Sequence, residues 1–143
     1  MTSRIESMRI GDYDEVVVLW KMAEGVGLNE GDDRAGIARY LERNPGLSLV
    51  ARDGQGVIVG AVLCGHDGRR AYLNHLAVAA SHRRQGIGSR LVAACFAKLR
   101  ELGLPKCSIL IYADNDAGKA FWIGQGWQAR ENLRLLQKLT AAK

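Results

Sequence analysis

A mixed α/β fold, with a mainly antiparallel central sheet and helices on both of its faces, is what the sequence predicts. Three observations lead there. Three extended runs follow one another with DG-type turns between them; the middle run is apolar on both faces; and amphipathic helical segments lie before and after.

Taken in order, RIESMRI (4–10) reads as a first strand. Asp12 and Glu15 then have capping-box spacing, and Tyr13, Val16, Val17, Trp20 and Ala23 mark one face of a helix. Residues 25–33 form a polar loop. Ile37 and Leu41 indicate a second helix, which must end before Pro45 because the residue preceding a proline is driven out of the helical region. SLVAR (48–52), VIVGAVLCGH (57–66) and RAYLNHLAV (70–78) make an antiparallel meander. In the middle run Val57, Val59, Ala61 and Leu63 alternate with Ile58, Gly60, Val62 and Cys64, so neither side is polar and both must be covered. From Ile87, the residues Leu91, Cys95, Leu99 and Leu102 recur at helical spacing until Gly103 and Pro105. KCSILIY (106–112) is a further strand, residues 116–124 a short helix, and the chain from Trp127 a closing pair of strands.

The chain has 143 residues, 48% hydrophobic and 24% charged, without repeats or linker-like tracts, which fits one domain over residues 1–143. No run reaches the roughly 18 apolar residues of a membrane span, and the N-terminal residues lack a signal-peptide core, so a cytoplasmic protein with no membrane partner is expected. Cys64, Cys95 and Cys107 lie in apolar segments without metal-ligand spacing, as reduced core residues would; no metal site is expected. The net charge of +5 suits a polyanionic ligand. No long basic stripe with interleaved aromatics accompanies it, so nucleic acid is not the expected partner.

The segment HRRQGIGSRL (82–91) joins an apolar strand to an amphipathic helix. Gly86 and Gly88 allow a ligand to approach the main chain, the first N–H groups of the helix converge there, and Arg83 and Arg84 add positive charge. A phosphate-binding corner and a simple tight turn are both compatible with this segment alone. It lacks the GK[ST] of a Walker loop and the third glycine of a dinucleotide fingerprint.

Arg83, Gly86 and Gly88 in LAVAASHRRQGIGSRL follow an R/Q-x-x-G-x-G/A pattern that resembles the acyl-CoA-binding segment of the GNAT superfamily of N-acetyltransferases. NDAGKAFWIGQGW (115–127), with Asn115, Phe121, Trp122, Gly126 and Trp127, resembles that superfamily's later segment. The resemblance implies the acyl-CoA N-acyltransferase fold and transfer of an acetyl group from acetyl-CoA to a primary amine, on a small molecule or on a peptide or protein. A weakly active or inactive acyl-CoA-binding module is the alternative. A homodimer is a form the resemblance allows.

By the same resemblance, main-chain groups of Leu76, Ala77 and Val78 pair with the pantetheine arm and supply an oxyanion donor. The loop of Arg83, Arg84, Gln85, Gly86, Ile87, Gly88 and Ser89 holds the pyrophosphate. Asn115 and Trp122 lie toward the sulfur end, although Asn115 is also placed to cap the following helix. The strands on either side of the glycine loop carry no acidic residue that would act as a base. Tyr72 and Asn74 are left to orient a water, with His75 on the opposite face as a packed histidine or a base; His66 and His82 fall in turns. Trp122 stands where the superfamily has a tyrosine acid, and indole delivers no proton at ordinary pH, so Tyr112 is the candidate replacement. Glu30, Asp32 and Asp33, with Glu24 nearby, lie in the loop that borders the acceptor in this superfamily, either to attract a cationic amine or as a solvated loop.

Overall fold

Residues 58–66 have no polar face, and the chain places them where that is satisfied. In the computed structural model, which describes residues 3–141, strand β3 (Ile58–His66) is central, buried along its length as far as Gly65. Strands β2 (Leu49–Arg52) and β4 (Ala71–Val78) flank it antiparallel. Strand β1 (Arg4–Ser7) pairs antiparallel with β2 at one edge, and strand β5 (Cys107–Ile109) pairs parallel with β4 at the other, giving a five-stranded sheet in the order β1-β2-β3-β4-β5.

Helices cover both faces, as the two-sided apolar pattern requires. On one face Ala61 and Leu63 meet Val16, Leu19 and Trp20 of helix α1 (Tyr13–Met22) and Ile37 of helix α2 (Arg34–Arg43). On the other face helix α3 (Ile87–Glu101) presses on Gly60, where an added Cβ would lie 3.0 Å from Ile87 Cγ2 and 3.1 Å from Leu91 Cδ1. Any larger residue there would lift the start of α3 off the sheet.

The boundaries depart from the sequence reading where side chains find other partners. The first strand stops at Ser7 rather than Ile10, and a single 3-10 turn (Ile10–Asp12) leads into α1. The Asp12–Glu15 capping box does not form. Asp12 instead accepts from Arg9 N–H at 2.9 Å and pairs with Arg52 at 2.6 Å, while Glu15 accepts from Ile58 N–H at 2.8 Å. Three residues of the expected strand 106–112 pair, and Leu110, Ile111 and Tyr112 beyond them are exposed. Cys64 and Cys95 are buried and Cys107 is half-buried; all three are free thiols.

The chain forms two compact units, Met1–Tyr112 and Ala113–Lys143. The second contains helix α4 (Asp116–Gly124), within the expected limits. The expected closing strands are not formed: among the described residues none from Trp127 onward is in a strand. The segment is rich in Leu, Arg, Gln and Lys and has no valine or isoleucine, so its β-propensity is weak.

Candidate active site

Strand β4 changes character at its middle. Asn74 pairs with Leu63 of β3 and Ala77 with Ala61, so His75 and Leu76 together oppose Val62. This is a β-bulge, and His75 occupies it with a left-handed φ of 56°. The extra residue breaks the period-two parity. His75 therefore shares the α1/α2 face with Tyr72 and Asn74, contrary to the sequence reading, which set it on the opposite face. Its ring meets Trp20 edge-on at 5.0 Å, and its Nε2 lies 3.0 Å from Asp32 Oδ2.

Pairing on the other side of β4 also ends early. Ala71, Tyr72 and Leu73 pair with β5, and among the described residues no strand continues that pairing along residues 74–78. Ala79 N–H donates to Val59 O at 2.8 Å, which fixes the antiparallel alternation. Ala77 therefore directs its N–H and C=O at β3, while those of Val78 point away from it. Arg83 Nε donates to Val78 O at 3.3 Å, holding a guanidinium at the end of the strand.

The glycine loop follows. Arg84 and Gly86 are left-handed, at φ 64° and 78°, and Gly86 is the N-cap of α3. The helix's first backbone bond runs from Arg90 N–H to Gly86 O, so the N–H groups of Ile87, Gly88 and Ser89 precede it and face outward from the helix end with the positive end of its dipole. Arg83, Arg84, Gln85 and Gly86 are exposed, Gly88 and Ser89 half-buried, and Ile87 is buried against the sheet, so Ile87 has its N–H alone to offer a ligand. An open strand edge running into a glycine-led helix start with two arginines fits an elongated ligand that carries amide groups at one end and phosphates at the other.

The acidic loop is tied inward. Asp33 Oδ1 accepts from Gly36 N–H at 2.8 Å and caps α2. Asp32 Oδ2 accepts from Asn29 N–H at 2.9 Å besides meeting His75. Glu30 and Glu24 are exposed. Gly27 lies against the hydroxyl of Tyr112, which occupies the space a side chain would need. One loop thus touches both the β4 bulge and Tyr112, the expected acid, three residues beyond β5.

The hydroxyl of Tyr40, a residue the sequence reading missed, lies against Gly65, on the sheet face that also carries Asn74. Burial holds that hydroxyl well above its ordinary pKa. Its position four residues before Asn44 on a mostly polar helix was the available signal. Tyr72 is 41% exposed and Tyr112 52% exposed. The remaining histidines are engaged in their own turns: His66 Nδ1 accepts from Gly68 N–H at 2.9 Å, and His82 Nδ1 lies 2.8 Å from Ser81 Oγ. In the second unit Asn115 caps α4, its Oδ1 accepting from Gly118 N–H at 2.9 Å. Trp122 is buried there between Phe121 and Trp127, with ring centroids 5.0 and 4.9 Å away. Among the described residues no cluster of His, Cys, Asp or Glu suits a metal ion, and no helix is long and apolar enough to cross a membrane.

Comparison with known proteins agrees with this geometry. Residues 13–127 match the model of the acetyltransferase (GNAT) family. The chain is 31% identical over 134 residues to an acetyltransferase of Sodalis glossinidius, covering 94% of this chain and 93% of that protein. It is 37% identical over 114 residues to an acetyltransferase of Photorhabdus laumondii, covering 79% and 78%. Among solved structures, the PaiA N-acetyltransferase of Thermoplasma acidophilum in complex with coenzyme A superposes with a TM-score of 0.79 at 17% identity, covering 92% of each chain. Ard1 of Thermoplasma volcanium gives 0.77 at 21% identity, over 88% of this chain and 82% of that one. These last two likenesses establish the fold. By its family match and its relatives, the chain belongs to the GNAT acetyltransferase family and is an acetyl-CoA-dependent N-acetyltransferase.

Proposed function

We propose that the protein acetylates a primary amine, on a small molecule or a peptide, by direct attack of the neutral amine on the thioester. The observation that carries this reading is the edge of β4 past Leu73, which runs without a β5 partner into the glycine-led start of α3. Acetyl-CoA supplies the activated acetyl group. The main chain of Val78 binds and aligns its pantetheine arm, and the N–H groups of residues 84–89, with Arg83 and Arg84, hold its phosphates. Leu76 belongs to the same edge. Asn115 and Trp122 are assigned to the sulfur end on the strength of motif position.

Transfer to an amine needs a proton removed from nitrogen, a donor for the developing oxyanion and a proton for the departing sulfur. Main-chain N–H groups at the end of β4 serve the oxyanion. Tyr112 donates the proton to sulfur, since it has a hydroxyl and Trp122 does not. Tyr72 and Asn74 orient the water that accepts the amine's proton. Exposed Glu30 attracts the cationic amine, whereas Asp32 and Asp33 shape the loop that presents it. CoA release measured over a panel of primary, secondary and tertiary amines tests the proposal. Turnover confined to primary amines is expected, and tight acetyl-CoA binding with no turnover on any amine would overturn it.

A further inference from the structure

His75 is a left-handed residue that is not glycine, a backbone state that persists only where its surroundings over-determine it. Two contacts do so. Trp20 Nε1–H donates to His75 O at 2.8 Å, from an indole that is fully buried. Asp32 Oδ2 meets His75 Nε2 at 3.0 Å, with the two side chains 16% and 18% exposed. A carboxylate only accepts hydrogen bonds, so the neutral ring carries its hydrogen on Nε2.

Asp32 is fixed from three further directions. Its Oδ2 accepts from Asn29 N–H, its own N–H donates to Asn29 O at 3.1 Å, and its C=O accepts from the Tyr13 hydroxyl at 2.7 Å. The neighbouring Asp33 caps α2 independently of these bonds. The loop is thereby joined to β4 at His75 and to the end of the unit at Tyr112, through Gly27, with Glu30 between the two points.

We propose that Asp32 and His75 form a latch, a pair of positioning residues that holds loop 25–33 against the β4 bulge and so sets the affinity for the amine acceptor. The proposal rests on the reading that this loop borders the acceptor. Because Asp33 anchors α2 separately, release of the latch loosens residues 27–32 without unfolding the helix that follows. Glu30 and the Gly27 backbone beside Tyr112 then lose their placement together. An effect on the Michaelis constant for the amine follows, with acetyl-CoA binding preserved.

The test uses Asp32→Ala, His75→Ala, their double variant and Asp32→Asn in the full chain, with Glu30→Arg as an independent probe of the loop. Two readouts are taken: hydrogen exchange of the amides of residues 27–32, and steady-state kinetics with whichever of spermidine, a polyamine-free alkylamine or a peptide with a free α-amine is turned over fastest. Each alanine variant should speed loop exchange and raise the amine's Michaelis constant by about 10-fold or more, the scale of a lost hydrogen bond to a charged group. The double variant should be no worse than the singles, because both remove one interaction. Asp32→Asn keeps an oxygen that accepts from both N–H groups and should restore most of the loss. Melting temperature should fall by only several degrees, and acetyl-CoA affinity should hold. If His75→Ala does not fold, the contrast between Asp32→Ala and Asp32→Asn carries the test alone. Unchanged exchange and Michaelis constant in Asp32→Ala, or an Asp32→Asn as loose as alanine, overturns the latch. Should Glu30→Arg raise the Michaelis constant while Asp32→Ala does not, the latch fails and the acceptor reading stands; if neither matters, the acceptor reading fails as well.

Discussion

The donor and acceptor sides of the proposed site are built from different parts of the chain. On the donor side the groups offered to a ligand are peptide N–H and C=O at the end of β4 and the start of α3, and the side chains that matter most are those missing at Gly60 and Gly86. On the acceptor side the geometry depends on named side chains and their contacts: Asp32 with His75, Tyr13 with the Asp32 carbonyl, Tyr112 against Gly27. A backbone site tolerates varied side chains and keeps one ligand. A site made of side-chain pairs changes with each substitution, which suits a family that shares a donor and differs in acceptors.

The largest effect that would sharpen this contrast is expected at Tyr112. Removing its hydroxyl in Tyr112→Phe should lower turnover by ~10²-fold with acetyl-CoA affinity intact, the loss of a positioned proton donor. Trp122→Phe keeps an aromatic between Phe121 and Trp127 and should lower turnover less than about 10-fold. Steady-state rates paired with calorimetry check both, and equal losses would erase the distinction between packing and proton transfer.

Gly86→Val should act on the donor side alone. The space around Gly86 is open, but its φ of 78° is closed to a β-branched residue. The strain, about 1–3 kcal/mol, should weaken acetyl-CoA binding by roughly 10-fold or more. Wild-type affinity in this variant would mean that the helix start is not the phosphate site. Arg83→Ala should weaken binding only a few-fold, and that difference should shrink as salt is raised, since the guanidinium is exposed.

The smallest effect belongs to neither side. Hydrogen bonds from Arg4 and Arg52 hold the Glu6 carboxyl below its ordinary pKa. A depressed folded-state value stabilises above the unfolded-state pKa of about 4.3 and is lost as pH falls through the lower folded value. Glu6→Gln should therefore melt slightly below wild type at neutral pH, with the two converging in acid. Its kinetic constants should be unchanged, and a shifted Michaelis constant for either substrate would show that the frame and the site are not separable in this way.

The same division explains what could be read from residues alone. The β2–β3–β4 meander, the central position of β3 and the limits of α3 and α4 follow from local periodicity and from glycine and proline punctuation. The glycine-led start of α3 was legible because glycines mark backbone geometry directly. Parity along β4 was not, since a bulge leaves no mark in RAYLNHLAV and reverses the face of His75. Asp12, Glu15 and Asp32 were misjudged for a related reason. Each is committed to a partner distant in sequence, Arg52, Ile58 and His75, and local spacing is blind to such pairs. The closing strands were expected from element order rather than from composition, and the composition of residues 128–141 disfavoured them.

The unpaired stretch of β4 has a thermodynamic consequence. Sheet edges of this kind invite adhesion to other chains unless something covers them. In the proposed binding mode the donor lies along residues 76–78 and covers the edge in the way another strand would, and it does so only in the folded protein. Folding and donor binding are then linked by mass action, at roughly 2.7 kcal/mol when the donor is present at 100 times its dissociation constant. In a cell the supply of acetyl-CoA would thus act on the lifetime and solubility of the protein as well as on its rate of turnover.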